Sequence, residues 1–264
     1  DFGQNLNPYH PHTLEDILRI YEGADYVELN RSYRSTFEIM NFAKHIRDVA
    51  GLDAVERHGE EPSMVACEDE QDEIRQIKQA ILEFEAGENA SLGIILKNNR
   101  AAREFHDLLS CGLQSGGDRI KLISPDSTHY EGGVSVTSIQ MAKGLEFDTV
   151  ILLDCIDDVF PCHSAIEKYK TGQEEEMEEE ARLFYVACTR AKKVLVLPYA
   201  NYSGNNPALP SRFFSRLLED PQKDSSGEAD VGNIRLYPGL MIEHKNFGRG
   251  QVVGVDRKKG VFTV

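Results

Sequence analysis

Short apolar runs alternate along the chain with segments of helical periodicity, and this alternation restricts the fold more than any other feature. Residues 92–96 are apolar throughout, and so are most of residues 149–154. Between such runs, apolar residues recur at the three- and four-residue spacing of an amphipathic helix. Strands that alternate with helices favour a parallel sheet covered by helices, so we predict an α/β fold.

The same patterns place the individual elements and the domain boundaries. We expect strands at 26–29, 65–67, 92–96, 134–139, 149–154 and 194–197, and helices at 13–21, 36–49, 69–85, 99–109 and 174–189. A sheet domain would cover 1–218, and a linker rich in Asp, Ser and Gly would follow at 219–236. Glycine-separated β-runs at 237–264 predict a small, truncated β-barrel segment. Since no Met opens the chain and Val264 lies inside a β-like run, we expect a segment of a longer protein.

Composition excludes several classes of protein. The 264 residues are 41% hydrophobic, which supports a sizeable core and is too apolar for a disordered chain. No apolar run approaches the roughly 18 residues of a membrane span, and the first residues lack the regions of a signal peptide. The five cysteines form no CxxC pair, which argues against a zinc knuckle and a disulfide framework. We therefore expect a cytoplasmic protein with no membrane contact.

The net charge of −15 argues against a nucleic-acid binder, because such proteins usually carry a basic surface. This objection applies only to the average charge. A basic groove is compatible with an acidic surround.

The most informative patch is residues 136–151, where a predicted strand is followed by a turn with Lys143, Gly144 and Glu146 and then by a buried strand. Polar groups at the tip of a parallel sheet, with a glycine that lets a ligand approach the backbone, are typical of nucleotide sites. The alternative is an ordinary strand–turn–strand unit whose charges are solvated.

Two further patches carry arginines. Arg190 ends the predicted helix 174–189 and would point to the sheet tip, where it can neutralise charge on a phosphoryl group. The alternative is a helix-terminal arginine that faces water, and the acidic run 174–180 is interpreted as a solvated helix face. In residues 29–36, Tyr33 offers an aromatic face and Arg34 a bidentate donor for phosphate. The alternative there is a simple N-cap formed by Ser35 or Thr36.

Taken in order, the three patches resemble motifs IV, V and VI of superfamily 1 helicases of the UvrD/Rep/PcrA type. The matching patterns are Tyr-Arg-Ser, Thr-x5-Lys-Gly-Leu-Glu and Leu-x-Tyr-Val-Ala-x-Thr-Arg-Ala. The opening residues 1–4 resemble the Asp-x-x-Gln of motif III. Residues 238–253 resemble the small Tudor-like barrel that ends many of these helicases.

This resemblance implies a second RecA-like domain that closes over ATP held by an N-terminal RecA-like half of the same protein. It further implies roles for residues of this chain. Arg34 and Arg190 would reach the γ-phosphate that Gln4 senses, Tyr33 would stack near the base, and Gly144 with Glu146 would approach the ribose and triphosphate. Thr137, Gln140 and Lys143 would contact single-stranded DNA.

The sequence also departs from the family pattern. It has no GxxxxGK[ST] loop, so the ligands of Mg²⁺ are expected in the N-terminal half. Ser32 stands where Asn or Gln is usual, and Gln140 replaces the common His of motif V.

Two functions are therefore open. The first is the C-terminal motor domain of an ATP-dependent DNA helicase or translocase with a role in DNA repair. The second is an ATP-independent interaction module, in which residues 237–264 bind a protein such as RNA polymerase or a repair protein. A phosphate-binding loop upstream of this chain would favour the first.

Overall fold

The structure is a computed structural model that describes residues 14–21, 31–47, 53–54, 57–112, 120–127, 130, 132–204, 206–218, 241–244, 248–251, 254–256 and 261–263. Its helices are α1 Leu14–Ile20, α2 Phe37–Ile46, α3 Glu70–Ala86, α4 Asn99–Gly112, α5 Ile139–Ala142, α6 His163–Lys170 and α7 Glu175–Cys188, followed by a 3-10 helix at Ser215–Leu218. The strands of the sheet domain are β1 Arg31–Ser32, β2 Asp53–Ala54, β3 Ser63–Cys67, β4 Ser91–Leu96, β5 Ile120–Ile123, β6 Gly133–Ser138, β7 Phe147–Leu152, β8 Ala191–Ala200, β9 Tyr202–Ser203 and β10 Asn206–Pro207. The strands of the C-terminal segment are β11 Met241–His244, β12 Gly248–Gln251, β13 Gly254–Asp256 and β14 Val261–Thr263.

Six strands form one sheet in the order β3-β8-β7-β4-β6-β5, and every pair in it is parallel. All six residues of β4 are buried, which explains why this strand is apolar along its whole length. The predicted α/β class is confirmed, and the parallel sheet with flanking helices fits a RecA-like architecture.

Each face of the sheet has its own hydrophobic core. Helices α2, α5 and α7 cover one face and α3 with α4 cover the other. The chain leaves β4 toward the face of α4 and leaves β7 toward the face of α7.

Several elements differ from the sequence-based expectation. The strand predicted at 134–139 ends at Ser138, whose hydroxyl accepts a hydrogen bond from the Met141 amide and so begins α5. Strand β5 and helix α6 were not predicted from the apolar pattern. The expected strand at 26–29 and the expected linker at 219–236 lie outside the described residues.

The C-terminal segment shows only antiparallel pairs. Strand β11 pairs with β12 and β13 pairs with β14. The barrel therefore stays a prediction. Within the described parts of the chain, no helix is both long and apolar enough to cross a membrane.

The absence of a side chain at Gly93 makes room for the ring of Phe147. A Cβ atom at position 93 would lie 2.7 to 2.8 Å from three carbon atoms of that fully buried ring. We expect Gly93→Ala to lower the free energy of unfolding by about 1–3 kcal/mol, because overpacking displaces a ring that cannot move into solvent. Urea denaturation measures this loss.

Phe147→Leu provides the matched test of this contact. Combined with Gly93→Ala it should lose less stability than the sum of the two single losses, because the smaller side chain relieves the clash. Additive losses would contradict the contact.

Candidate functional site

Strands β7 and β8 begin side by side, and the residues just before them form the first part of the site. The Phe147 amide donates to the carbonyl oxygen of Arg190 at 3.0 Å, and Phe147 is the register partner of Ala191. This pairing places Glu146 and Arg190 at the amino-terminal edge of the sheet. We call Arg34, Glu146 and Arg190 the arginine cluster.

Arg190 is the largest side chain with no exposed surface among the described residues. Its Nε donates to the Val186 carbonyl oxygen at 3.0 Å, one turn back in α7. One terminal nitrogen lies 3.4 Å from the Leu145 carbonyl oxygen and the other lies 3.4 Å from the Thr189 hydroxyl. The side chain is therefore enclosed by the protein, and a water-facing position at the helix end does not describe it.

The charge of Arg190 is destabilised by its surroundings and remains present at neutral pH. Burial, followed by the neighbouring positive charge of Arg34, lowers the pKa of Arg190 to about 10, and Glu146 opposes both effects. Two like charges close together in a poorly hydrated site are unfavourable unless a negative charge lies near them. Glu146 supplies that charge.

Arg34 reaches this edge from the segment between β1 and α2. Its Nε donates to a carboxylate oxygen of Glu146. The next residue fixes the backbone, since the buried Ser35 hydroxyl donates to the Ala191 carbonyl oxygen at 2.6 Å. Tyr33 is 71% exposed, so its ring is open to a ligand at the same edge.

Gly144 has a φ of +89°, a left-handed conformation that glycine adopts without strain. No heavy atom lies within 4 Å of the position that its Cβ would take. Backbone conformation therefore explains the glycine here, and the space above it is open.

Of the residues expected to contact DNA, Thr137 lies at the other edge of the sheet. Thr137 is at the carboxyl end of β6 and has no exposed surface, and its hydroxyl lies 3.3 Å from the Ile123 carbonyl oxygen. Gln140 and Lys143 are exposed on and after α5. The structure thus distributes the patch 136–151 over both edges of the sheet, where the sequence suggested a single tip. The reason is that β6 and β7 are parallel, so the chain must return along the sheet between them.

Glu180 corrects one sequence-based interpretation. The run 174–180 was expected to be a solvated helix face, but Glu180 is 8% exposed. Its carboxylate accepts hydrogen bonds from Lys97 Nζ at 2.6 Å and from the Cys162 amide at 3.1 Å. Lys97 also lies over the Phe160 ring, 5.1 Å from its centre. A partly buried ion pair thus joins the end of β4 to α7. No motif marked it in the sequence.

Two further acids lie at the carboxyl edge. Asp154 follows β7 with a φ of +62°, which is rare for a residue with a side chain. Burial raises the pKa of Asp154, although the amide and the charge of Lys97 lower it in part. Burial, followed by the charge of Asp154, raises the pKa of Glu73 to about 7. Sequence reasoning missed this pair because its members are distant along the chain.

Gln4 lies outside the described residues. Among the residues that the structure does describe, no group of three or more His, Cys, Asp or Glu side chains is placed to hold a metal ion.

Residues 119–202 match the family model of the UvrD-like helicase C-terminal domain. That stretch is therefore similar to the C-terminal domain of UvrD-like helicases. The ATP-dependent DNA helicase PcrA of Staphylococcus epidermidis strain RP62A is 28% identical over 162 residues, and that of Staphylococcus aureus strain Mu50 is 29% identical over 164 residues. Both alignments cover 51% of this chain and 22% of the relative.

A solved structure, the C-terminal domain of a possible DNA helicase from Lactobacillus plantarum WCFS1, is 24% identical with a TM-score of 0.49. The matched region covers 70% of this chain and 93% of the chain in that solved structure. The sequence comparisons confirm the resemblance to the C-terminal half of UvrD/PcrA-type helicases. The chain spans about a fifth of the length of the curated relatives that it matches.

The raised pKa of Glu73 makes the stability of the sheet domain depend on pH. The folded state holds a proton on Glu73 up to about pH 7, whereas the unfolded state releases it near 4.5. The stability is therefore fully present below pH 4.5 and is lost as the pH rises through 7. We expect Glu73→Gln to be more stable than the wild type at pH 8, by roughly 2 kcal/mol, and nearly equal to it at pH 5.

Urea denaturation of both proteins at pH 5 and pH 8 measures the difference. Gln79→Ala, at an exposed position of the same helix with no titratable group, is the control and should show no such dependence. An equal effect of Glu73→Gln at both pH values would contradict the assignment.

Proposed function

We propose that this chain is part of the C-terminal motor half of an ATP-dependent DNA helicase or translocase. The observation that carries the proposal is the arginine cluster, in which two guanidinium groups and one carboxylate meet at one edge of a UvrD-like domain. Because the chain spans only a fifth of its relatives, the activity of the whole protein, its ATP and its DNA are all part of the proposal.

The donor set of the cluster fits a triphosphate. Guanidinium groups donate bidentate hydrogen bonds to phosphate oxygens, and Arg190 is held in place by backbone carbonyl oxygens before any ligand arrives. A guanidinium group that is already held in position would stabilise the charge that develops during phosphoryl transfer once nucleotide reaches it. A phosphate of the nucleotide would replace the Glu146 carboxylate as the hydrogen-bond partner of Arg34. The nucleotide would then have access to Arg190.

The other expected roles follow from exposure. Tyr33 would offer its ring to the base, and the open space above Gly144 would admit the ribose or phosphate. Gln4 would sense the γ-phosphate. The ligands of Mg²⁺, and the loop that cradles the phosphates, would come from an N-terminal RecA-like half of the same protein.

Single-stranded DNA would contact the exposed Gln140 and Lys143. The buried Thr137 would position the end of β6 beneath them. Closure of the two halves over ATP would then move the strand along the carboxyl edge, because α5 connects that edge to Glu146.

In the full-length protein we expect Arg190→Ala or Arg34→Ala to lower kcat by about 10³-fold or more while KM for ATP changes little. The reason is that arginine fingers act mainly on transition-state charge. Arg100→Ala is the matched control, because Arg100 is exposed and pairs only locally with Glu104. Steady-state ATP hydrolysis with single-stranded DNA measures all three variants.

The isolated chain has no phosphate loop and should not hydrolyse ATP.

Because Arg190 is fully buried, the Arg190→Ala variant is also checked for an unchanged melting temperature. Near-normal turnover of both arginine variants would reject the assignment. The ATP-independent interaction module would then be the better account.

We propose that residues 237–264 bind a protein partner, such as RNA polymerase or a repair protein. From Glu228 onward the segment has six Lys and Arg residues against four Asp and Glu, an excess too small to predict nucleic-acid binding. Deleting 219–264 from the full-length protein should leave DNA-stimulated ATP hydrolysis within about twofold of the wild type and abolish partner recovery in pull-downs. Lost hydrolysis with unchanged partners would instead assign the segment to the motor.

A further inference from the structure

We propose that Arg57 is a positioning residue for Arg34. It would hold the segment that carries Arg34 against the strand that follows Arg190. This inference rests on the proposed function, since it concerns the same arginine cluster.

The guanidinium group of Arg57 bridges two segments of backbone. One of its terminal nitrogens donates to the carbonyl oxygen of Arg34 and to the carbonyl oxygen of Lys192, the latter at 2.7 Å. These two carbonyls belong to Arg34 itself and to the second residue after Arg190. Arg57 thus ties together the main chains on which both arginines of the cluster are mounted.

Arg57 is itself anchored on the start of α2. Its carbonyl oxygen accepts a hydrogen bond from the Phe37 amide at 2.9 Å. Two residues further on, the Gly59 amide donates to the Glu38 carboxylate at 2.9 Å, and the same carboxylate pairs with His58 at 2.7 Å. Residues 57–59 are therefore fixed to the first turn of the helix that follows Arg34.

The segment that carries Arg34 needs such a tie. Strand β1 has two residues. In the described part of the chain, the segment between β1 and α2 is joined to β8 by the Ser35 hydroxyl bond to Ala191 and by the Arg57 bridge. Arg34 is partly exposed, so packing alone does not fix its guanidinium group. A displacement of about 1 Å in a catalytic group can cost about a hundredfold in rate.

The chemistry of the side chain matches this role. Arginine presents several donors in a rigid plane, which allows one group to satisfy carbonyl oxygens from two segments. Lysine presents one flexible ammonium group and can satisfy the same oxygens with less geometric control. Because the Arg57 nitrogen is already engaged with backbone, we assign it no direct contact with phosphate.

The first test measures hydrogen exchange in this chain. In Arg57→Met, which keeps an aliphatic stem, the amides of residues 34–37 should exchange at least about tenfold faster than in the wild type, while those of β4 stay unchanged. Arg57→Lys should restore part of the protection, and Arg100→Met should have no effect. Unchanged exchange at 34–37, or faster exchange throughout the sheet, would overturn the proposal.

The second test is a double-mutant cycle on ATP hydrolysis by the full-length protein. We expect Arg57→Met to lower kcat by about ten- to a hundredfold with little change in KM, and to cause no further loss when Arg34 is already alanine. Losses that multiply in the double variant would show that Arg57 acts independently of Arg34 and would overturn the positioning role alone. Normal kcat in the Arg34→Ala variant would overturn the proposed function, and the positioning role with it.

Discussion

A positive charge enclosed by protein governs the amino-terminal edge of the sheet. An enclosed guanidinium group is costly unless its donors are satisfied and an opposite charge lies nearby. Val186 and Leu145 supply carbonyl oxygens to Arg190, and Glu146 supplies the negative charge. The ends of α7 and the beginnings of β7 and β8 must therefore keep their relative positions, or the charge loses its partners.

The two edges of the sheet are joined by one short piece of chain. Residues 139–146 leave the carboxyl end of β6, form the single turn of α5 and arrive beside Arg34 and Arg190. Ser138 fixes the beginning of that turn, where its hydroxyl also donates to Asn99 at 2.5 Å. The carboxyl end of β6 is thus connected through one short segment of chain to the Glu146 carboxylate at the other edge.

The sequence predicted the fold well where periodicity is strong. The all-apolar strand β4 and the amphipathic helix α3 follow directly from their patterns. Prediction failed where partners are distant in sequence. Nothing near Glu180 indicates that Lys97 approaches it, and an acidic run normally faces water. The motifs identified Arg34, Glu146 and Arg190. That these residues lie at the opposite edge of the sheet from Thr137 is seen only from the parallel pairing of β7 with β8. Arg57 belongs to no motif, because its contacts are with backbone oxygens and depend on no particular side chain.

The position of β3 has a consequence for how the chain acquires its structure. Among the strands that the structure describes, β3 pairs only with β8, in the register that joins Met64 to Leu197. Its partner therefore leaves the ribosome roughly 130 residues later, a delay of about 10 s at usual rates of synthesis. Until then β3 has no neighbour in the sheet, while β4, β6 and β7 already have theirs. Since long-range pairing is slow, closure of the sheet by β8 is the step at which the nascent chain is most open to misassociation through its exposed strand edges.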